Sequence, residues 1–142
     1  MSEQKPTQRH LARIKALCAL YQSEVGQTEI VDALRDFSNN EEYPEKATTE
    51  YADRLAEGVK KKNFELDDVI GENLTVDWVV ERLTIIDRII LKIAVYEILH
   101  VDDVPTAVAI NEAVELAKEY STEDAQKFIN GVLGSVVRNL DL

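Results

Sequence analysis

The stretch that decides the fold is TIIDRIILKIAVYEILHV, residues 84–101. Apolar side chains recur in it at intervals of three and four residues and cover much of the circumference of a helix. A helix with this distribution is usually buried on most of its sides. The stretch therefore predicts a central helix that other helices surround.

The rest of the chain shows the same helical spacing and little punctuation. Its 142 residues include only five glycines and three prolines, and strict alternation of apolar and polar residues is absent. Further helices are predicted over residues 7–24, 28–37, 48–62, 107–120 and 123–139, with one or two short helical pieces over 65–82. Trp78 is expected to be a core anchor within those pieces. The prediction is an all-α protein of about seven helices that forms a single domain, residues 1–142.

The last predicted helix contains Asn130-Gly131, a dipeptide that ordinarily signals a tight turn. Apolar residues keep helical spacing across it, so we expect the helix to continue. Glycine inside a helix costs about 1 kcal/mol relative to alanine. We therefore expect Gly131 to admit a close helix neighbour and Asn130 to form a buried hydrogen bond. Asn111, in the preceding helix, is expected to be a buried structural amide as well.

The composition favours a water-soluble protein with one hydrophobic core. Hydrophobic residues make up 45% of the chain, and no apolar run approaches the roughly 18 residues of a membrane-spanning helix. Cys18 is the only cysteine and lies in an apolar run, so we expect a buried thiol in a reduced, cytoplasmic protein. The net charge is −11, yet residues 1–22 hold four basic residues and one acidic residue. Contact with nucleic acid must therefore be local.

None of the common catalytic or metal-binding motifs is present. The two histidines, His10 and His100, are far apart in the sequence, and HExxH, GxSxG, GxGxxG and P-loop patterns are absent. The acidic pairs Asp67-Asp68 and Asp102-Asp103 adjoin predicted helix ends, where solvated carboxylates are expected. We predict no enzyme activity, no metal site and no cofactor.

Two groups of cations remain open to more than one interpretation. Arg9 and Arg13 lie one helical turn apart, an arrangement that fits either an anionic ligand or an ordinary solvated face. Lys60-Lys61-Lys62 closes the third predicted helix, where cations favourably meet the negative end of the helix dipole. A nucleic-acid patch is the alternative for these lysines.

Two consecutive segments carry a specific family pattern. They are DRIILKIAVYEIL, residues 87–99, and DDVPTAVAINEAVELAKEYSTEDAQKFINGVL, residues 102–133. Together they resemble the C-terminal half of the NusB family of bacterial transcription antitermination factors. The resemblance implies an all-helical fold of two small packed bundles and a non-catalytic protein. It also implies binding to the single-stranded boxA element of ribosomal RNA leader transcripts, with the ribosomal protein NusE, in the RNA polymerase antitermination complex.

The resemblance also implies site residues. The positions that it assigns to the RNA face are Arg9, His10, Arg13, Tyr21, Lys92, Asp124, Lys127 and Phe128. Asp87 and Arg88 fall on the side that it assigns to NusE. Relatives often carry three or more consecutive arginines where this chain has Arg9 and Arg13 with other residues between them. A weaker or differently placed grip on RNA is expected.

Single-stranded RNA is recognised by aromatic rings that stack on bases and cations that hold phosphates. Lys127 and Phe128 supply one of each, although packing in the core is the alternative for Phe128. The second functional hypothesis is a NusB-fold protein-interaction module, possibly homodimeric, with weakened RNA affinity. A third is kinship with the NusB-like domain of ribosomal RNA cytosine methyltransferases, which the absence of a methyltransferase domain disfavours.

Overall fold

A computed structural model describes residues 7–40, 46–75 and 79–142, and helices are the only regular elements in this part of the chain. The seven α-helices are α1 Gln8–Gly26, α2 Ile30–Asn40, α3 Lys46–Lys61, α4 Asn63–Glu72, α5 Ile85–His100, α6 Thr106–Tyr120 and α7 Glu123–Asn139, and a 3₁₀ turn spans Val80–Arg82. The prediction of an all-α protein with about seven helices is confirmed. Trp78 lies outside the described residues.

The chain divides into two compact units, Met1–Glu57 and Gly58–Leu142. The N-terminal unit holds α1, α2 and most of α3, and the C-terminal unit holds the end of α3 and the remaining helices. Two helical units agree with the expectation of two small bundles. The single domain over residues 1–142 stays a prediction.

In the N-terminal unit, α1 is capped by Thr7, whose hydroxyl accepts a hydrogen bond from the backbone amide of His10 at 3.0 Å. The helix ends at Gln27, which adopts the left-handed conformation with φ 54°. The apolar residues of α3 recur with helical spacing and are buried. They are Tyr51, Ala52, Leu55, Ala56 and Val59. In α2, Ala33 and Leu34 are buried, whereas Val31 is 52% exposed.

Helix α5 is the centre of the C-terminal unit and packs against α4, α6 and α7. All residues from Ile89 to Val95 are buried, including those on opposite sides of the helix. Its first turn is capped by Thr84, whose hydroxyl accepts from the amide of Asp87 at 3.2 Å. The prediction that this helix is surrounded on most sides is confirmed.

Helix α7 runs without interruption through Asn130-Gly131, as its apolar spacing predicts. The structural roles predicted there are wrong. Asn130 and Asn111 are exposed, and a Cβ atom added to Gly131 would meet nothing within 4 Å. The buried stripe of α7 contains Ile129, Val132, Leu133 and Val136. At about 100° per residue, positions 130 and 131 fall on the opposite face of the helix.

Candidate nucleic-acid interface

A groove of about 260 Å³ opens in the C-terminal unit where α5 and α7 begin. Residues from both helix starts and from the segment before α5 form its walls. They are Arg82, Leu83, Thr84, Asp87, Thr122, Asp124, Ala125 and Phe128. The sequence places these residues near two predicted helix starts but gives no sign that the starts adjoin.

The groove is framed by two helix caps. Thr84 caps α5, and the hydroxyl of Thr122 caps α7 by accepting from the amide of Ala125 at 3.0 Å. Free amides at a helix start attract negative charge. Asp87 and Asp124 lie in these first turns and already supply negative charge. The groove thus combines apolar walls with hydrogen-bond acceptors. The carboxylates of Asp87 and Asp124 partly balance the positive ends of the two helix dipoles.

Asp87 joins the two sides of this groove. Its carboxylate accepts a hydrogen bond from the hydroxyl of Ser121 at 2.7 Å, across 34 residues of sequence. Because Ser121 directly precedes the cap of α7, the bond ties the start of α5 to the start of α7. Asp87, which the resemblance assigns to NusE, therefore also holds the groove together.

Asp124, Lys127 and Phe128 share one face of the first turns of α7. Asp124 lies three and four residues before the other two, so the three side chains are neighbours on the helix. Asp124 and Lys127 are exposed, whereas Phe128 is half-buried in the groove wall. Phe128 is thus neither a fully buried core residue nor a fully exposed one.

Lys92 does not lie on this surface. Its side chain is 8% exposed, and its ammonium lies 2.6 Å from Oδ1 of Asn63 and 3.3 Å from Oδ1 of Asp67. Arg88 reaches the other oxygen of Asp67 at 3.4 Å. The contact of Lys92 with RNA stays a prediction, and moving this buried ammonium away would leave the charge of Asp67 uncompensated. Arg88, assigned to NusE, shares this network.

In the N-terminal unit, two arginines converge on one aromatic ring. The guanidinium of Arg9 lies 4.2 Å from the ring centroid of Tyr51, and that of Arg13 lies 5.8 Å from it. A guanidinium on an aromatic face is stabilised electrostatically. Arg13, which the resemblance assigns to the RNA face, is only 3% exposed, and its contact with RNA stays a prediction. Arg9 is half-buried and keeps an accessible part.

The other N-terminal positions differ in their accessibility. His10 is half-buried, and Tyr21 is 40% exposed. Lys15 is 1% exposed. Burial raises the pKa of the Asp53 carboxyl, and the positive charge of Lys15 offsets part of this rise. Two cations of this unit, Arg13 and Lys15, therefore lie in its interior.

The predicted RNA-facing residues form two sets. Arg9, His10, Arg13 and Tyr21 belong to the N-terminal unit, and Lys92, Asp124, Lys127 and Phe128 belong to the C-terminal unit. Sequence reasoning missed Tyr51 and Ser121, which organise the two sets. The sequence around Tyr51 does not show that two arginines contact its ring, and nothing local to Ser121 reveals a partner 34 residues away.

Metal chemistry and membrane insertion find no support in the part of the chain that the structure describes. Within residues 7–40, 46–75 and 79–142, no three His, Cys, Asp or Glu side chains are grouped so as to hold a metal ion. None of the helices formed by these residues is long and apolar enough to cross a membrane.

Comparison with known proteins identifies the family. The model of the NusB family matches residues 10–138. Transcription antitermination protein NusB of Enterococcus faecalis is 41% identical over 140 residues, which cover 94% of this chain and 91% of that protein. The solved structure of T. maritima NusB is 34% identical, with a TM-score of 0.84 over 95% of this chain and 93% of that chain.

A further solved structure contains the antitermination factors NusB and NusE in complex with double-stranded RNA. It matches with 25% identity and a TM-score of 0.85, over 93% of this chain and 97% of that chain. These matches confirm the NusB-like all-helical fold. The matched relatives are transcription antitermination proteins, which confirms the prediction that the chain is not an enzyme. The chain belongs to the NusB family.

Proposed function

We propose that this chain is an RNA-binding transcription antitermination factor. In this proposal it binds the single-stranded boxA element of ribosomal RNA leader transcripts together with NusE and joins the antitermination complex on RNA polymerase. A cytoplasmic location follows, because bacterial transcripts are made there. The single observation that carries the proposal is the groove at the starts of α5 and α7, with a partly accessible Phe128 beside the exposed Lys127.

The chemistry of this face suits a single strand of RNA. In this proposal Phe128 stacks on a base, an interaction that is worth about 1 to 3 kcal/mol per base. The adjacent ammonium of Lys127 can hold a phosphate, and Asp124 can accept hydrogen bonds from exocyclic amino groups of bases. Arg9 of the N-terminal unit offers a second cation whose orientation is fixed by stacking on Tyr51.

The partner NusE is proposed to contact the side of the groove that Asp87 and Arg88 form. Both side chains are half-buried and engaged, Asp87 with Ser121 and Arg88 with Asp67. Groups fixed in this way are preorganised for a partner, because little side-chain entropy remains to be lost on binding. A second protein bound there would lie beside the RNA-facing residues of α7.

The deciding experiment measures binding of a boxA strand with and without NusE at several salt concentrations. The expected result is an affinity that falls with salt, because phosphate contacts release counterions, and that exceeds the affinity for a scrambled strand. A duplex of the same sequence serves as a second ligand. Equal binding of boxA and scrambled strands in the presence of NusE would overturn the proposal.

Matched variants locate the contact. Phe128→Ala should weaken boxA binding by roughly tenfold, and Phe128→Leu should do nearly the same because it keeps apolar bulk but loses stacking. Lys127→Gln should lower the dependence of affinity on salt, while Lys118→Gln, a change at an exposed lysine of α6, should leave it unaltered. Equal effects of the two lysine variants would exclude a specific role for Lys127.

A second candidate function is a NusB-fold protein-interaction module, possibly homodimeric, with weakened RNA affinity. The burial of Arg13 and Lys92 favours it, because two cations assigned to the RNA face are held inside the fold. Analytical ultracentrifugation at several protein concentrations distinguishes the candidates. A stable dimer that binds NusE but no RNA would favour this second function over the first.

A further inference from the structure

An aromatic side chain at the α3–α4 junction is almost wholly exposed. Phe64 is 84% exposed, more than any other large hydrophobic residue among those that the structure describes. Burial of a phenylalanine side chain is favourable, and the isolated fold forgoes this gain at Phe64. The groove and the RNA-facing residues assigned above do not include Phe64.

Two exposed lysines lie one helical turn before this ring. Lys60 and Lys61 are the last two residues of α3 and precede Phe64, in the first turn of α4, by four and three residues. The backbone stays helical on both sides of the junction, since the amide of Lys62 donates to Gly58 and the amide of Leu66 donates to Lys62, each at 2.9 Å. We call Lys60, Lys61 and Phe64 the junction surface.

The cations of the junction surface are not neutralised within the fold. Neither Lys60 nor Lys61 forms an ion pair with any residue in the described ranges. Among the nearby carboxylates, Glu65 pairs with His100 at 2.5 Å and Asp67 pairs with Arg88 and Lys92, whereas Glu57, one turn before the lysines in α3, is exposed. Asp68, one turn beyond Phe64, is exposed and marks the acidic edge of the surface.

We propose that the junction surface is a second contact for single-stranded RNA, separate from the groove of α5 and α7. The chain has a net charge of −11, yet Lys60 and Lys61 place two cations near the exposed ring of Phe64. Two cations and an aromatic ring suit RNA, a polyanion that carries bases. The ring stacks on a base, and the two ammonium groups hold the neighbouring phosphates. This contact reads no sequence, because stacking and phosphate binding are tolerant of base identity.

The inference rests on the proposed function and extends it to a second surface. A strand that lacks boxA tests the junction surface independently of the groove. A 20-nucleotide oligouridine strand tests the junction surface on the full chain alone, and a boxA strand with NusE tests the groove. Phe64→Ala is expected to weaken oligouridine binding at low salt by about fivefold or more, the factor that corresponds to the loss of one stacked base. Phe128→Ala should affect boxA binding more than oligouridine binding.

The lysines have a charge-matched control. Lys60→Gln/Lys61→Gln should reduce the slope of log affinity against log salt by about 1.4, because each phosphate contact on a single strand contributes about 0.7. Lys118→Gln/Arg138→Gln removes two exposed cations from α6 and α7 and should change the slope much less. Asp68→Asn should strengthen binding by removing the anion at the edge of the surface.

The fluorescence of Phe64→Trp gives a direct reading. Its added tryptophan should be quenched by oligouridine, relative to the parent protein, if a base stacks on it. Loss of oligouridine binding in the lysine variant together with this quenching supports the proposal, even if boxA and scrambled strands bind equally. Unchanged binding in the Phe64 and lysine variants would overturn it while leaving the groove intact. A changed oligomeric state or NusE affinity without a change in RNA affinity would assign the surface to a protein partner and overturn it as well.

Discussion

At the scale of single residues, two glycines of the C-terminal unit have opposite surroundings. An added Cβ atom at Gly58 would collide with the ring and hydroxyl of Tyr96, whereas one at Gly131 would meet nothing within 4 Å. Neither glycine adopts a positive φ, so backbone strain does not separate them. The difference in packing alone therefore predicts opposite effects of the same substitution.

Gly131→Ala should stabilise the protein by up to about 1 kcal/mol. Alanine favours the helix over glycine by about this amount in an exposed position and loses less backbone entropy on folding. Urea denaturation followed by circular dichroism measures the change. A loss of stability would mean that another helix does approach Gly131, as the sequence alone suggested.

Gly58→Ala should instead destabilise the fold, by about 1 to 3 kcal/mol, because the new methyl group must displace the Tyr96 ring. The double variant Gly58→Ala/Tyr96→Leu should recover part of the loss, since the smaller side chain vacates the space. The same denaturation measurement applies. No rescue in the double variant would show that the loss has another origin.

At the scale of secondary-structure elements, helices could be predicted from the sequence and side-chain partners could not. Spacing of apolar residues located α5 and carried α7 through Asn130-Gly131, because a helix must bury one stripe. The partners of Lys92 and Arg13 are 25 and 38 residues away in the sequence, at Asp67 and Tyr51. No local pattern encodes such pairs, so the sequence left both cations on the surface.

The exposure of Asn111 and Asn130 was missed for a related reason. Each stands next to apolar residues, and adjacency in sequence suggested burial. In a helix, however, neighbours point about 100° apart, so a buried Ile129 places residue 130 well away from the core. Within the candidate site, helical spacing by itself places Asp124, Lys127 and Phe128 together, so their proximity could be predicted from the sequence.

The start of α7 provides a test at the element scale. Thr122→Ala removes the oxygen that accepts from the amide of Ala125 and should cost about 1 kcal/mol of stability. Thr122→Ser keeps the acceptor and should cost little. Because Thr122 also lines the groove, Thr122→Ala should weaken boxA binding as well. Equal stabilities of the two variants would mean that the cap contributes nothing.

At the scale of the whole molecule, the single domain predicted from chain length can be tested by hydrogen exchange. If residues 1–142 unfold as one cooperative unit, amides of α1 and of α5 should lose protection at the same urea concentration. Gly58→Ala, a change in the C-terminal unit, should then lower both midpoints equally. Two separate midpoints would mean that the two compact units are independent domains.

The burial of Arg13 and Lys92 also has a kinetic consequence for the molecule as a whole. Both cations are withdrawn from the surface, while the net charge of −11 repels an approaching RNA from a distance. Added salt screens this long-range repulsion but weakens phosphate contacts at short range. Stopped-flow measurements should therefore find that salt accelerates association of boxA RNA and accelerates dissociation even more. The protein would then discriminate among RNA strands by how long each one stays bound, because its negative field slows the association of every strand.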